Sequence, residues 1–170
     1  MMISNSEIVL RLIVAFAVGY VLGIERYLRK KPAGTGTHTI VCLASTLVTI
    51  ISAYGFQEFT TINHINMDPS RLMVGILTGI GFIGAGIIWR ENASRIQGIT
   101  TAANIFLIAS LGIAIGMGYY FITGLTVVLA IAAHELSLWQ KNRYIIKQKI
   151  LHEESKTEAE SKPGETESGS

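Results

Sequence analysis

Five apolar stretches, each nearly free of charge and each about as long as a bilayer is deep, constrain this chain more than any single motif. They run from about Ile8 to Ile24, Thr39 to Phe56, Leu72 to Trp89, Thr100 to Met117 and Tyr119 to Trp139. The hydrocarbon core of a bilayer is about 30 Å thick, so a spanning helix needs about 20 apolar residues. Without water to bond the backbone, segments of this kind span as helices. Composition agrees: charged residues make up 15% of the chain, against about a quarter in soluble domains. The predicted fold is all-α, a polytopic bundle of five transmembrane helices.

The loops set the expected orientation, because short cytoplasmic loops collect Lys and Arg. Arg26, Arg29, Lys30 and Lys31 follow the first stretch, Arg90 and Arg95 the third, and Lys141, Arg143, Lys147 and Lys149 the fifth. The alternate segments carry Glu7, then Glu58 to Asp68, then Gly118, and are almost free of basic residues. This pattern predicts an external N-terminus and a cytoplasmic C-terminus. Arg11, near the start of the first stretch, is expected to snorkel to the interface. Tyr119, Tyr120, Trp89 and Trp139 read as interfacial anchors. The first stretch ends in Glu25-Arg26 rather than a small-residue cleavage site, so it reads as a retained span. Residues 1–149 are expected to form the membrane domain. Residues 150–170, rich in Glu, Ser, Thr, Lys and Gly, are expected to be a disordered acidic tail.

Seventeen glycines would weaken helices in water but let helices approach closely in lipid. Ala15, Gly19 and Gly23 form one small-residue stripe, and Ala109, Gly112 and Gly116 a second. The third stretch is densest, with Gly75, Gly79 and Gly86 on one face and Gly81 and Gly84 on another, which predicts a central third helix. Gly79-Ile80-Gly81-Phe82-Ile83-Gly84 matches a dinucleotide-binding spacing but lacks the strand–turn–helix context that gives that pattern meaning. In the second stretch Ser45, Thr46, Thr49 and Ser52 read either as packing hydroxyls or as a polar pathway. Cys42 reads as core packing.

Charges at membrane depth are costly and call for an account. Glu25, Arg26, His38, Arg90, Thr100, Thr101 and Asn104 gather at the predicted cytoplasmic ends of the first four helices, with Asp68 and Arg71 on the opposite side. Each has a structural account as a cap or anchor; together they form a candidate functional polar cluster. Asp68 is a candidate N-cap with Pro69 at the first helical position. If a cation binds, Mg²⁺ suits the oxygen ligands, and Glu25 and Asp68 are the candidate ligands; no other cofactor is expected. No Walker sequence, nucleophile elbow or paired-histidine helix is present, so the chain does not read as an enzyme.

These motifs, in this order, resemble those of the MgtC/SapB family of bacterial inner-membrane proteins. The resemblance is carried by Gly23-Ile24-Glu25-Arg26, Pro32-Ala33-Gly34 with Thr37-His38, Asp68-Pro69-Ser70-Arg71, Gly79 to Gly86, and Gly98-Ile99-Thr100-Thr101-Ala102-Ala103. The chain is similar to the short branch without a C-terminal soluble domain. It departs from the usual family pattern at Tyr27, Thr35-Gly36 and Phe106. The resemblance implies a place in the cytoplasmic membrane of a bacterium or archaeon and a role in adaptation to low magnesium. It also implies regulation by binding other membrane proteins, the proton-translocating ATP synthase among them. The competing expectation is a magnesium or other cation channel or carrier. Five short helices enclose little pore, so that reading calls for a homo-oligomer, such as a dimer sharing the third helix. Lipid is a partner in either case, and nucleic acid is not expected. A reporter fused at Ser170 is expected to be active on the cytoplasmic side; periplasmic activity would invert the topology.

Overall fold

The computed structural model describes residues 3–56, 68–92 and 95–160. Among them are five helices: α1 (Asn5–Leu28), α2 (Thr35–Tyr54), α3 (Ser70–Ile87), α4 (Ile99–Gly116) and α5 (Tyr120–Glu160). Each contains a segment long and apolar enough to cross a membrane. The all-α, five-span architecture follows, and the protein is a multi-pass membrane protein. A short antiparallel hairpin, β1 (Trp89–Asn92) and β2 (Arg95–Gln97), joins α3 to α4 and was not expected from the sequence. Gly98 follows it at φ 90°, and a Cβ there would overlap the Ile87 carbonyl. Only glycine lets the hairpin feed straight into α4.

Helix ends obey local rules. The Ser4 hydroxyl accepts a bond from Glu7 N at 3.3 Å and caps α1. At the other end Lys31 N donates to the Arg26 carbonyl and Lys30 N to the Tyr27 carbonyl, with Lys30 in the left-handed region at φ 52°. This is a Schellman closure, with lysine where glycine is usual. It stops α1 and turns the chain into α2, which starts at Thr35, ahead of the expected Thr39. Asp68 and Pro69 precede α3, which begins at Ser70.

The chain divides into two compact units after Val128. In the first, α2 lies between α1 and α4. Gly19 and Gly23 of α1 sit so close to α2 that an added Cβ would lie 2.7 Å from Thr39 Cα and 2.6 Å from Thr35 Cα. Gly112 and Gly116 of α4 do the same on the other side, where a Cβ would lie 2.6 Å from the Cys42 carbonyl oxygen and 2.6 Å from Thr49 Cβ. Ala15, Cys42 and Ala109, all fully buried, belong to the same packing. The α2 hydroxyls bond to backbone: Thr46 to the Gly112 carbonyl at 2.9 Å, Thr49 to the Ser45 carbonyl at 2.8 Å, and Ser52 to the Pro69 carbonyl. These three hydroxyls donate to backbone, the first of the two expected arrangements.

The expected central position of α3 is corrected. Only Ile80 and Gly84 of α3 are buried; Ile80 packs with Ala33, Ile105 and Ala109, and Gly84 lies against Ala102. A Cβ added at Gly75, Gly79, Gly81 or Gly86 would meet no described residue of another element within 4 Å, and Phe82 is 84% exposed. Glycine density reports that a helix can be approached closely, not that the approaching helix belongs to the same chain.

The second unit is the distal part of α5. Arg143 lies over the Trp139 ring at 4.8 Å, and Gln148 donates to the Tyr144 hydroxyl at 2.9 Å. The helix continues to Glu160, past the point where a disordered tail was expected to begin. Residues 150–160 hold four Glu together with Leu151, Lys156 and Ala159, good helix formers that extend a span already nucleated in the membrane. Residues 161–170 lie outside the described residues.

The close contacts set a contrast. Gly112→Ala is expected to destabilise the protein by about 1–3 kcal/mol through overpacking. Gly79→Ala is expected to stay within about 0.5 kcal/mol of the parent. Reversible unfolding in mixed micelles measures both.

Candidate functional site

Polar side chains enter the first unit at two opposite ends of the α1–α2–α4 packing. At one end Arg11 is 7% exposed. Its Nε donates to Glu7 Oε1 at 3.0 Å, one terminal nitrogen donates to the Tyr54 hydroxyl at 3.2 Å and to the Gly116 carbonyl at 2.5 Å. The Tyr120 hydroxyl donates to the same Glu7 oxygen at 2.7 Å. The guanidinium also lies 5.2 Å from the centre of the Tyr54 ring. The expected snorkelling of Arg11 is therefore corrected: the side chain turns inward because a carboxylate, two phenols and the last carbonyls of α4 satisfy it there. One buried cation ties α1, α2, α4 and the start of α5 together. The Glu7–Arg11 spacing of four residues was the available signal.

The other end is built differently. Arg26 is 2% exposed, and one terminal nitrogen donates to Thr101 Oγ1 at 3.3 Å, while its Nε has no partner. The adjacent Glu25 is ion-paired with Arg29, one turn on along α1. His38 is 1% exposed. Its Nδ1 lies 2.9 Å from the Gly34 carbonyl, to which a protonated Nδ1 donates. Nε2 is buried without a partner. His38 sits within electrostatic reach of both Arg26 and Glu25.

Glu25, Arg26, His38 and Thr101 thus come together at this end, with Thr100 and Asn104 on the same helix as Thr101 and Arg90 on the hairpin that precedes it. Thr100 is exposed, and its carbonyl accepts from Asn104 Nδ2 at 2.7 Å along α4. Arg90 lies exposed on β1. Asp68 and Arg71 lie exposed at the start of α3, which Ser52 links to the Arg11 end. Asp68 Oδ1 accepts from Ser70 N at 2.9 Å. Hydrogen bonds from Ser70 hold the Asp68 carboxyl below its ordinary value. Its contribution is present above the unfolded-state value and fades as pH falls through the lower folded value. Among the described residues no group of three or more His, Cys, Asp or Glu side chains could hold a metal. Glu25, committed to Arg29, and Asp68, committed to Ser70, belong to different ends of the bundle.

The sequence comparisons decide the family. A model of the MgtC family matches residues 12–142. The chain belongs to the MgtC family. SapB of Bacillus subtilis is 41% identical over 116 residues, covering 68% of this chain and 50% of SapB. YhiD of Escherichia coli K12, whose name assigns it provisionally to magnesium transport, is 42% identical over 116 residues, 68% of this chain and 54% of YhiD. MgtC of Brucella abortus strain 2308 is 33% identical over 122 residues, 72% of this chain and 48% of that protein. This MgtC-family chain spans about half the length of these curated relatives. No solved structure matches it.

The Arg11 cluster makes a stability prediction for this MgtC-family bundle. Arg11→Met removes three hydrogen bonds, one of them buried, and leaves Glu7 without its ion-pair partner. It is expected to lower the melting temperature by roughly 5–10 °C. Arg71→Met, at an exposed site, should leave it unchanged in the same thermal scan.

Proposed function

We propose that this protein is a regulator in the cytoplasmic membrane, serving adaptation to low magnesium by binding the transmembrane helices of other membrane proteins. One observation carries the reading. A Cβ added at Gly75, Gly79 or Gly86, on one face of α3, would meet no described residue of another element within 4 Å. Small residues at this spacing allow backbone-to-backbone approach, which drives helix association where lipid removes the hydrophobic drive. The same bundle uses that device internally at Gly19, Gly23, Gly112 and Gly116. Of the five glycines of α3, only Gly84 packs against a described neighbour, Ala102. A second copy of this chain is one candidate occupant of the face, and an unrelated membrane protein is the other.

The second reading is an oligomeric channel or carrier for magnesium or another cation. It draws on the name of YhiD and on the acidic ends at Glu25 and Asp68. Against it stands the engagement of the Thr46, Thr49 and Ser52 hydroxyls of α2 with backbone carbonyls.

The double variant Gly75→Leu, Gly79→Leu separates the two. Its glycines have open space around them, so folding is expected to survive. Cross-linked membrane partners that co-purify with the parent should be lost from the variant. Magnesium flux into proteoliposomes should stay at the level of empty vesicles for both proteins. Retained partners would count against regulation, and flux abolished by Glu25→Ala with Asp68→Ala would establish transport.

A further inference from the structure

We propose that the face of α3 turned away from α2 and α4 is a two-fold interface, occupied by α3 of a second copy of this chain. The proposal rests on the reading of this face as a docking surface and names its occupant.

Helix geometry defines the face. The buried residues of α3, Ile80 and Gly84, lie on the side that packs against Ala33, Ile105, Ala109 and Ala102. Counted at about 100° per residue, Arg71, Gly75, Gly79, Phe82 and Gly86 share a sector about 80° wide on the opposite side. All five are exposed, Phe82 to 84%. A helix side that meets only lipid has no need of glycine, which costs backbone entropy and leaves the main chain bare. In lipid, small residues serve close helix approach. Gly19 and Gly112 already serve it against α2.

Two features select a second copy over an unrelated helix. A two-fold interface must be complementary to itself: where residue i meets j, j meets i. First, the face carries both a knob and its hole. Phe82 stands between Gly79 and Gly86, three residues after the one and four before the other. Across a parallel pair, each Phe82 ring can lie over the glycines of the other copy and fill the groove that the missing side chains leave. Second, the charges match. Asp68 and Arg71, both exposed, stand one turn apart at the start of α3. Two copies inserted in the same sense set Arg71 of each beside Asp68 of the other. Exposed pairs of this kind add little strength, but like charges brought together oppose any other register. Thr78, at the edge of the face, donates to the Val74 carbonyl at 3.0 Å and so brings no unsatisfied hydroxyl proton into the contact. Helices of other membrane proteins then compete with the second copy for one face.

The test uses the full chain in liposomes of phosphatidylcholine and phosphatidylglycerol. Energy transfer between donor- and acceptor-labelled copies is followed as added lipid dilutes the protein. Phe82→Ala and Gly79→Leu are each expected to weaken pairing about tenfold or more, by removing the knob and filling the hole. Arg71→Met should pair as the parent does. Arg71→Glu should pair measurably more weakly, because it leaves only acidic groups at that end of the contact. Oxidative cross-linking in native membranes fixes the face independently of those variants. Gly75→Cys and Gly86→Cys should join two copies. Val74→Cys and Gly81→Cys, exposed on the same helix but off the face, should not. Cys42 is buried, and the parent reports its background. Protein that stays monomeric at every dilution overturns the proposal. Pairing unchanged in both Phe82→Ala and Gly79→Leu does so too, as does equal cross-linking off the face. Pairing without co-purifying partners would sustain this interface and overturn the regulator. A monomeric protein whose partners are lost in the Gly75→Leu, Gly79→Leu variant would do the reverse.

Discussion

The structure depends on how closely α2 is held between its two neighbours. Thr35, Thr39, Cys42 and Thr49 present small atoms at helical spacing, and the glycines of α1 and α4 meet them at distances where no Cβ fits. In lipid there is no hydrophobic gain from pressing apolar helices together, so close packing and short backbone-directed hydrogen bonds must supply the association. The Thr46 bond to the Gly112 carbonyl is one such bond, and it is possible only because glycine brings the α4 backbone within reach. Packing and hydrogen bonding are here a single effect: remove the glycine and both are lost.

The same arrangement explains why the two polar ends differ in character. The antiparallel bundle collects the C-termini of α2 and α4 at one end and their N-termini at the other. Arg11 sits at the carbonyl end and donates to Gly116, a favourable meeting of cation and negative helix end. Arg26 sits at the amide end of α2 and α4 but in the last turn of its own helix, so the carbonyl end of α1 and the Thr101 hydroxyl hold it there.

Much of this was legible in the chain. Five uncharged stretches of bilayer length announce five helices, and the motifs from Glu25-Arg26 to Thr100-Thr101 announce the family. The stripes of Gly19 with Gly23 and Gly112 with Gly116 are visible as small-residue periodicity. Other features were not legible. Arg11 looks the same in sequence whether it snorkels outward or turns inward, because its phenolic and carbonyl partners come from Tyr54, Tyr120 and Gly116, far along the chain. The hairpin of Trp89–Asn92 with Arg95–Gln97 is short and polar, with too few residues to show strand alternation.

The sequence by itself determined the number of helices, their antiparallel alternation and the glycine positions at which backbones can touch, because hydropathy and side-chain size are local properties. Only the tertiary structure decided which helix is central, since α3 and α2 are equally eligible by their small residues and only the matching of surfaces chooses between them. It also decided that Arg11 donates to α2 and α4 while buried Arg26 donates to the Thr101 hydroxyl. Whether a buried charge is compensated depends on groups that converge in space, and their spacing along the chain carries no record of that.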